Sequence, residues 1–242
     1  MAKRKTKGRK AWFRGLKAFL RLFIRKPEYL LLGDEFAERS VILSNHVGSL
    51  GPLTHELYFL KRFRFWGTYE MNSGLKSVYI YLSQIYFYQK KHKSKSMSKF
   101  LGFIVAPFAN MFYKGLELIS TYRDHRLRKT LDESIKTLKD NQSLIIFPEN
   151  SSDGYHDELK ECFAGFVVLG KVCLKQGIDL PVYTSYFRKK EKVIVVDKPI
   201  MMSELLGSGL DKKQIAENIR TRMNELGNMD ITGLVKKGNN KN

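Results

Sequence analysis

Cysteine is scarce: two in 242 residues, Cys162 and Cys173, with no CxxC spacing between them. That argues against a disulfide framework or a zinc site and fits a reducing compartment. Proline is sparse too, at six, and no Pro-, Gly- or Ser-rich linker divides the chain, which favours one large domain. Acid is in deficit, with 43 Lys and Arg against 24 Asp and Glu for a formal charge of +19. An anionic partner or surface is expected.

The acid deficit is concentrated at one end. The first 27 residues hold eleven Lys or Arg and no carboxylate. Among those charges Trp12, Phe13, Leu16, Phe19, Leu20, Phe23 and Ile24 recur on one helical face until Pro27 ends the pattern. A basic amphipathic helix with an aromatic face suits a membrane interface with anionic headgroups. The same pattern also fits a helix packed on the protein's own core or, less well because of its aromatics, a nucleic-acid arm. Arg14, Lys17 and Arg21 interrupt it as a membrane span, and it lacks the apolar core and cleavage site of a signal peptide. The expectation is a protein that touches a membrane without crossing it.

The rest of the chain alternates strand and helix. Val41-Ile42-Leu43 reads as a strand buried on both faces, Pro52 as the first turn of a helix through Leu53, Leu57 and Leu60, and Phe63–Trp66 as the next strand. Residues 75–113 mix aromatics with the cluster Lys90-Lys91-His92-Lys93-Ser94-Lys95 and end in an apolar run too short to span a bilayer. They fit a core helix as well as an interfacial hairpin or the wall of an acyl-chain pocket. Further strands are expected at 116–121, 143–147, 180–183 and 192–197, with helices at 127–138, from about Asp157 to Lys175, and at 211–226.

Such alternation predicts an α/β fold with a largely parallel central sheet flanked by helices, preceded by the basic amphipathic helix. The expected divisions are an interfacial helix at 1–27, an α/β domain at 28–232 and a disordered tail at 233–242. Ligands of such sheets bind outside the carboxyl ends of the strands. The loops after Leu43 and after Phe147 are therefore the candidate site.

Four segments, in order, carry a resemblance. Asn45-His46 is followed by Val47-Gly48-Ser49-Leu50-Gly51; Gly115 leads a run to Arg123; Phe147-Pro148-Glu149-Asn150-Ser151-Ser152 follows a buried strand; and Leu180-Pro181-Val182 opens another. Together they resemble the glycerolipid acyltransferase family, which includes the 1-acylglycerol-3-phosphate acyltransferases. Its motifs are Asn-His-x4-Asp, a Gly-led strand ending near Arg, Phe-Pro-Glu-Gly-Thr-Arg, and an apolar-Pro-apolar strand. Three positions depart. Gly51 stands at the Asp, Asn150-Ser151-Ser152 at the Gly-Thr-Arg, and the Arg of the second motif falls on Thr121, with Arg123 two residues on.

The resemblance implies transfer of a fatty acyl group from acyl-CoA or acyl carrier protein to a hydroxyl of a lysophospholipid or glycerol phosphate. His46 matches the family base, and Asn45, Arg123, Glu149, Asn150, Ser151 and Ser152 map to acceptor binding. No metal or other cofactor is implied. The acceptor and the acyl donor are the partners this implies; the basic amphipathic start and the cysteine usage add anionic membrane lipid, no nucleic acid, and a peripheral place at the cytoplasmic face of a membrane.

A hydroxyl is a poor nucleophile at neutral pH, so a base must take its proton, and a carboxylate beside a histidine fixes its tautomer. In the serine-protease triad, exchanging that carboxylate for its amide costs about 10⁴ in turnover. With Gly51 lacking a side chain, the orienting group must be Glu149, Asp153, Glu56 or a backbone carbonyl. The alternative is a catalytically silent relative that binds lipid or a partner. His55, His92, His125 and His156 have no comparable placement and read as satisfied or solvated side chains. Arg126-Leu127-Arg128-Lys129 reads as a solvated helix face, or as a landing place for an acidic carrier or a coenzyme A phosphate.

Overall fold

The computed structural model describes residues 9–233. The expected tail, apart from Gly233, and the residues before Arg9 lie outside the described residues. The chain divides into two compact units, Met1–Arg25 with Arg62–Leu144 and Ser151–Gly154, and Lys26–Lys61 with Ile145–Asn150 and Tyr155–Asn242.

In the first unit the basic amphipathic stretch forms α1 (Ala11–Leu20). Only one of its aromatics is fully buried: Phe13, 0% exposed, lies 5.3 Å from the ring of Phe112. The Phe13 ring sits so close over Gly115 that a Cβ there would come within 2.1 Å of it. Trp12, Phe19, Leu22 and Phe23 remain exposed. The stretch therefore packs on the protein through Phe13 and leaves Trp12, Phe19 and Phe23 uncovered.

Strand β3 (Phe63–Thr68) pairs in parallel with β4 (Ile119–Thr121), Trp66 opposite Ile119. Helix α5 (Leu127–Lys139) turns Thr130, Ser134, Ile135 and Leu138 inward, and Ser134 Oγ accepts the Trp66 indole N–H at 2.8 Å. Between β3 and β4 come α3 (Leu75–Ile80), a π-helix (Tyr81–Lys90) and α4 (Lys95–Leu116). Ser94 caps α4, its Oγ accepting the Met97 N–H. Gly115 and Leu116, expected in a strand, are the last turn of α4. The helix ends where Glu117 takes a left-handed conformation (φ 52°), and only Ile119–Thr121 is extended.

The second unit contains β1 (Glu28–Leu31), β2 (Val41–Ser44), α2 (Leu50–Tyr58), α6 (Gly165–Lys175), β6 (Pro181–Arg188), β7 (Val193–Val196), β8 (Ile200–Met201), α7 (Met202–Gly207) and α8 (Lys212–Asn228). The chain reaches it a second time through the fully buried β5 (Ser143–Ile146). Strand β2 pairs in parallel with β6, Val41 opposite Val182, and β1 in parallel with β7; β6 runs antiparallel to β7 and to β8. The α/β expectation holds with a mixed sheet. Residues 189–192 are too short for a crossover, so β6 and β7 must form a hairpin.

Helix α6 begins at Gly165, not near Asp157. Residues before it are held as irregular chain by α8, whose Asn224 side chain accepts the Leu159 N–H at 2.8 Å and donates to the Leu159 carbonyl at 3.0 Å. A capping box of Asp211 and Gln214 starts α8.

Phe13→Ala removes the ring that fills the space above Gly115. It is expected to cost about 3–5 kcal/mol, read as a lowered urea midpoint, whereas Phe23→Ala at the exposed end leaves the midpoint nearly unchanged.

Candidate active site

Strand β2 is buried along its whole length, and its register with β6 ends at Ser44 opposite Ser185. Asn45 prolongs that ladder with its side chain. Its amide donates to the Phe187 carbonyl at 3.2 Å and accepts the Phe187 N–H at 2.6 Å, with 2% of the residue exposed. Both ends of the amide are thus engaged with backbone, and Asn45 anchors the point where the chain leaves the sheet.

The next residues turn sharply. Val47 (φ 44°) and Gly48 (φ 63°) are both left-handed, common for glycine and an outlier for β-branched valine. The turn brings the Gly48 carbonyl back onto His46 Nδ1. A carbonyl oxygen only accepts, so Nδ1 carries a proton, and in the neutral imidazole the lone pair is then on Nε2. Of the four groups named from sequence to orient His46, the one seated on Nδ1 is a backbone carbonyl. Aromatic rings flank the half-buried imidazole, Phe147 and Tyr155 each at 5.0 Å between centroids.

Glu149 joins the two strand-end loops of the second unit. Its carboxylate, 8% exposed, accepts the backbone N–H of His46 at 3.0 Å. It is held from behind by a short antiparallel pairing: Glu149 bridges Cys162, the Phe163 N–H donates to the Pro148 carbonyl at 2.7 Å, and the Asn150 N–H donates to the Glu161 carbonyl at 2.9 Å. The Asn150 amide reaches Glu161 Oε2 at 2.6 Å. Burial, with Glu149 adding to it, pushes the Cys162 thiol up to about 12, so this cysteine is protonated at neutral pH and a poor nucleophile. Among the described residues no group of His, Cys, Asp or Glu has the arrangement of a metal site.

Gly51 owes its identity to this geometry. A Cβ there would lie 2.3 Å from the His46 carbonyl oxygen and 3.2 Å from that of Asn45. Both are backbone atoms, so neither gives way cheaply. The position where the resemblance calls for aspartate has no space for a side chain of any kind. Behind the loop, His55 on α2 is 1% exposed, with Nε2 3.2 Å from Ser44 Oγ and Nδ1 3.5 Å from the Tyr29 hydroxyl. Burial pushes its pKa from the ordinary 6.5 down to about 4. It is a satisfied core histidine and ties α2 to the end of β2. Glu56, also proposed as an orienting group, is fully buried on the same helix.

Ser151, Ser152 and Arg123, also named from sequence as acceptor-binding, belong to the first unit, as does Asp153. Ser151 Oγ accepts from Lys90 Nζ at 2.7 Å, and the Asp153 carbonyl lies 3.2 Å from His92 Nε2. Ser152 and Arg123 are exposed, the latter just beyond β4. Beside Arg123, the Tyr69 and Tyr122 rings stack at 5.4 Å with the Arg126 guanidinium over both. Sequence reasoning missed Gly48 and Tyr155 as groups on His46. A backbone carbonyl leaves no side-chain signature.

No family model matches the chain, and no curated protein matches it. Among solved structures it superposes on the crystal structure of the 1-acyl-sn-glycerophosphate (LPA) acyltransferase, PlsC, from Thermotoga maritima. The TM-score is 0.46 at 12% identity, over 90% of this chain and 88% of that one. So distant a likeness does not bear on chemistry.

Two outcomes are expected. Gly51→Asp collides with the His46 carbonyl and costs about 1–3 kcal/mol or more, seen as a lower melting temperature, without restoring any motif function. For His55 the unfolded chain binds more protons than the folded one between pH 6.5 and 4. The stability from keeping it neutral is complete above the upper value and is lost as pH falls towards the lower, about 3 kcal/mol in all. Urea titrations across that window should show the wild type losing this increment and His55→Leu lacking it.

Proposed function

We propose that the protein is a peripheral membrane acyltransferase. It moves a fatty acyl group from acyl-CoA or acyl carrier protein to a hydroxyl of a lysophospholipid or glycerol phosphate, with His46 as general base. The observation that carries this reading is the Gly48 carbonyl on His46 Nδ1 at the carboxyl end of β2: in the neutral ring that contact puts the proton on Nδ1 and the basic lone pair on Nε2. The ordered motif resemblance supplies the reaction class.

Nε2 takes the acceptor hydroxyl's proton as the oxygen attacks the thioester carbonyl. The tetrahedral oxyanion then collapses, the carbon–sulfur bond breaks, and the imidazolium returns its proton to the departing thiolate sulfur. Glu149, through the His46 N–H, and Asn45, through Phe187, are positioning residues for the base-bearing loop. Glu149, Asn150, Ser151, Ser152 and Arg123 are the proposed acceptor-binding groups. Ser151 and Ser152 supply hydrogen bonds without the charge or bidentate fork of the motif arginine.

A neutral carbonyl stabilises imidazolium less than a carboxylate does, so a slower enzyme is expected. The loss should fall short of the about 10⁴ seen when a triad aspartate becomes an amide, because there the tautomer itself is lost, whereas the Gly48 carbonyl preserves it. Among the described residues no helix is long and apolar enough to cross a membrane. Attachment at the cytoplasmic face through α1 and its anionic-lipid contacts completes the proposal, and no nucleic acid is required.

One observation favours a second reading, a silent relative that binds lipid or a partner enzyme: the absence of room at Gly51 for the family carboxylate. A single assay decides between them. Purified protein is incubated with acyl-CoA or acyl carrier thioesters and a panel of lysolipids and glycerol phosphate. The proposal expects transfer, reduced at least about 100-fold by His46→Ala with an unchanged melting temperature. No transfer by the wild type, or transfer unaffected by the substitution, rejects it.

A further inference from the structure

Helix α4 is inside out. The face it buries carries small side chains: Ser98, Gly102 and Ala106, four residues apart, are the buried positions along its first three turns. They pack against the end of α3 and the π-helix so closely that a Cβ on Gly102 would come within 3.0 Å of Ser83 Cβ. Ala106 joins Val78, Tyr81 and Leu82 in one apolar cluster. The opposite face carries the large side chains. Phe100, Phe103 and Phe108 are 61%, 74% and 68% exposed, with Met97, Ile104 and Met111 exposed between and beside them. At 100° per residue these six positions form one continuous stripe about 140° wide.

Apolar stripes of this size on a soluble surface mark an interaction site. The charge around it selects the occupant. From Met71 to Leu116 the sequence holds seven lysines and no carboxylate. Lys91, Lys93, Lys95, Lys99 and Lys114 are all exposed, four at the N-terminal end of α4 and one at the other. A second copy of this chain would bring the same lysines together across an isologous contact, like charge on like. An anionic phospholipid surface is complementary to both components, taking the aromatic stripe into the acyl boundary and meeting the lysines with its headgroups.

We infer that α4 is a bilayer-docking helix, lying in the interface of an anionic membrane with Phe100, Phe103, Ile104, Phe108 and Met111 inserted. This rests on the peripheral reading above and deepens it, adding α4 to α1 as a point of attachment. It requires no acyl transfer.

The full chain is sedimented with phosphatidylcholine vesicles, with and without phosphatidylglycerol, in the absence of any acyl donor. The comparison includes Phe100→Ser/Phe103→Ser/Phe108→Ser on α4 and Phe19→Ser/Phe23→Ser on α1. The changed residues are exposed, so circular dichroism and melting should match the wild type. The inference expects anionic vesicles to bind the wild type, the α4 variant to bind at least about tenfold more weakly, and neutral vesicles to bind poorly. Phe103→Trp, which keeps the stripe apolar, should bind and be quenched by brominated lipid. Undiminished binding of the α4 variant overturns the inference, whether or not the α1 variant loses binding. So does a wild type that ignores vesicles, or one that elutes as a dimer and becomes a monomer in the α4 variant with vesicle binding unchanged. The acyl-transfer reading is measured separately with soluble glycerol phosphate, so each can fail without the other.

Discussion

The approach of Gly51 to the His46 carbonyl is the contact on which the candidate site depends. With 2.3 Å between that oxygen and where a Cβ would stand, α2 can begin directly beneath the strand end. The chain between them must then reverse within a few residues, and Val47 and Gly48 do so in the left-handed region. For valine this conformation costs of order 1–3 kcal/mol, offset by what surrounds it: the Asn45 clamp on Phe187, the Glu149 carboxylate on the His46 N–H, and the His55–Ser44 contact behind. The same reversal delivers the Gly48 carbonyl to the imidazole.

Gly51 and Gly48 are therefore two halves of one arrangement. A side chain at 51 would push α2 away and open the turn, and the carbonyl would lose its aim. The lack of a side chain at Gly51, where the resemblance calls for aspartate, and the carbonyl on Nδ1 are not separate facts. A loop this tight orients its histidine with backbone and excludes the carboxylate that a looser loop would use. It retains control of the tautomer and forgoes the charge that would stabilise imidazolium.

Much of this was legible in the residues, for definite reasons. Val41-Ile42-Leu43 and Leu144-Ile145-Ile146-Phe147 are continuous apolar runs, and both give buried strands, β2 running one residue past its run to Ser44 and β5 stopping at Ile146, one short of Phe147. Asn45, His46 and Glu149 follow at those ends, in one unit. Gly115-Leu116 misled because an apolar helix end and a strand start look alike over two residues, and the Glu117 left-handed cap has no glycine to announce it. The stretch before Gly165 misled because its order comes from Asn224, far along the chain. The Gly48 carbonyl and the crowding at Gly51 were invisible, since backbone contacts write no side-chain signature. On α4 the usual guide fails outright: the largest apolar residues face water and the smallest face the protein.

The central claim is that a backbone carbonyl holds His46 with its proton on Nδ1 and its lone pair on Nε2. Nitrogen-15 NMR of histidine-labelled protein at neutral pH tests it most directly, with His46 assigned by its absence in His46→Gln. The account expects a pyrrole-type shift at Nδ1 and a pyridine-type shift at Nε2. The reverse assignment, or a ring exchanging freely between the two tautomers, would contradict it.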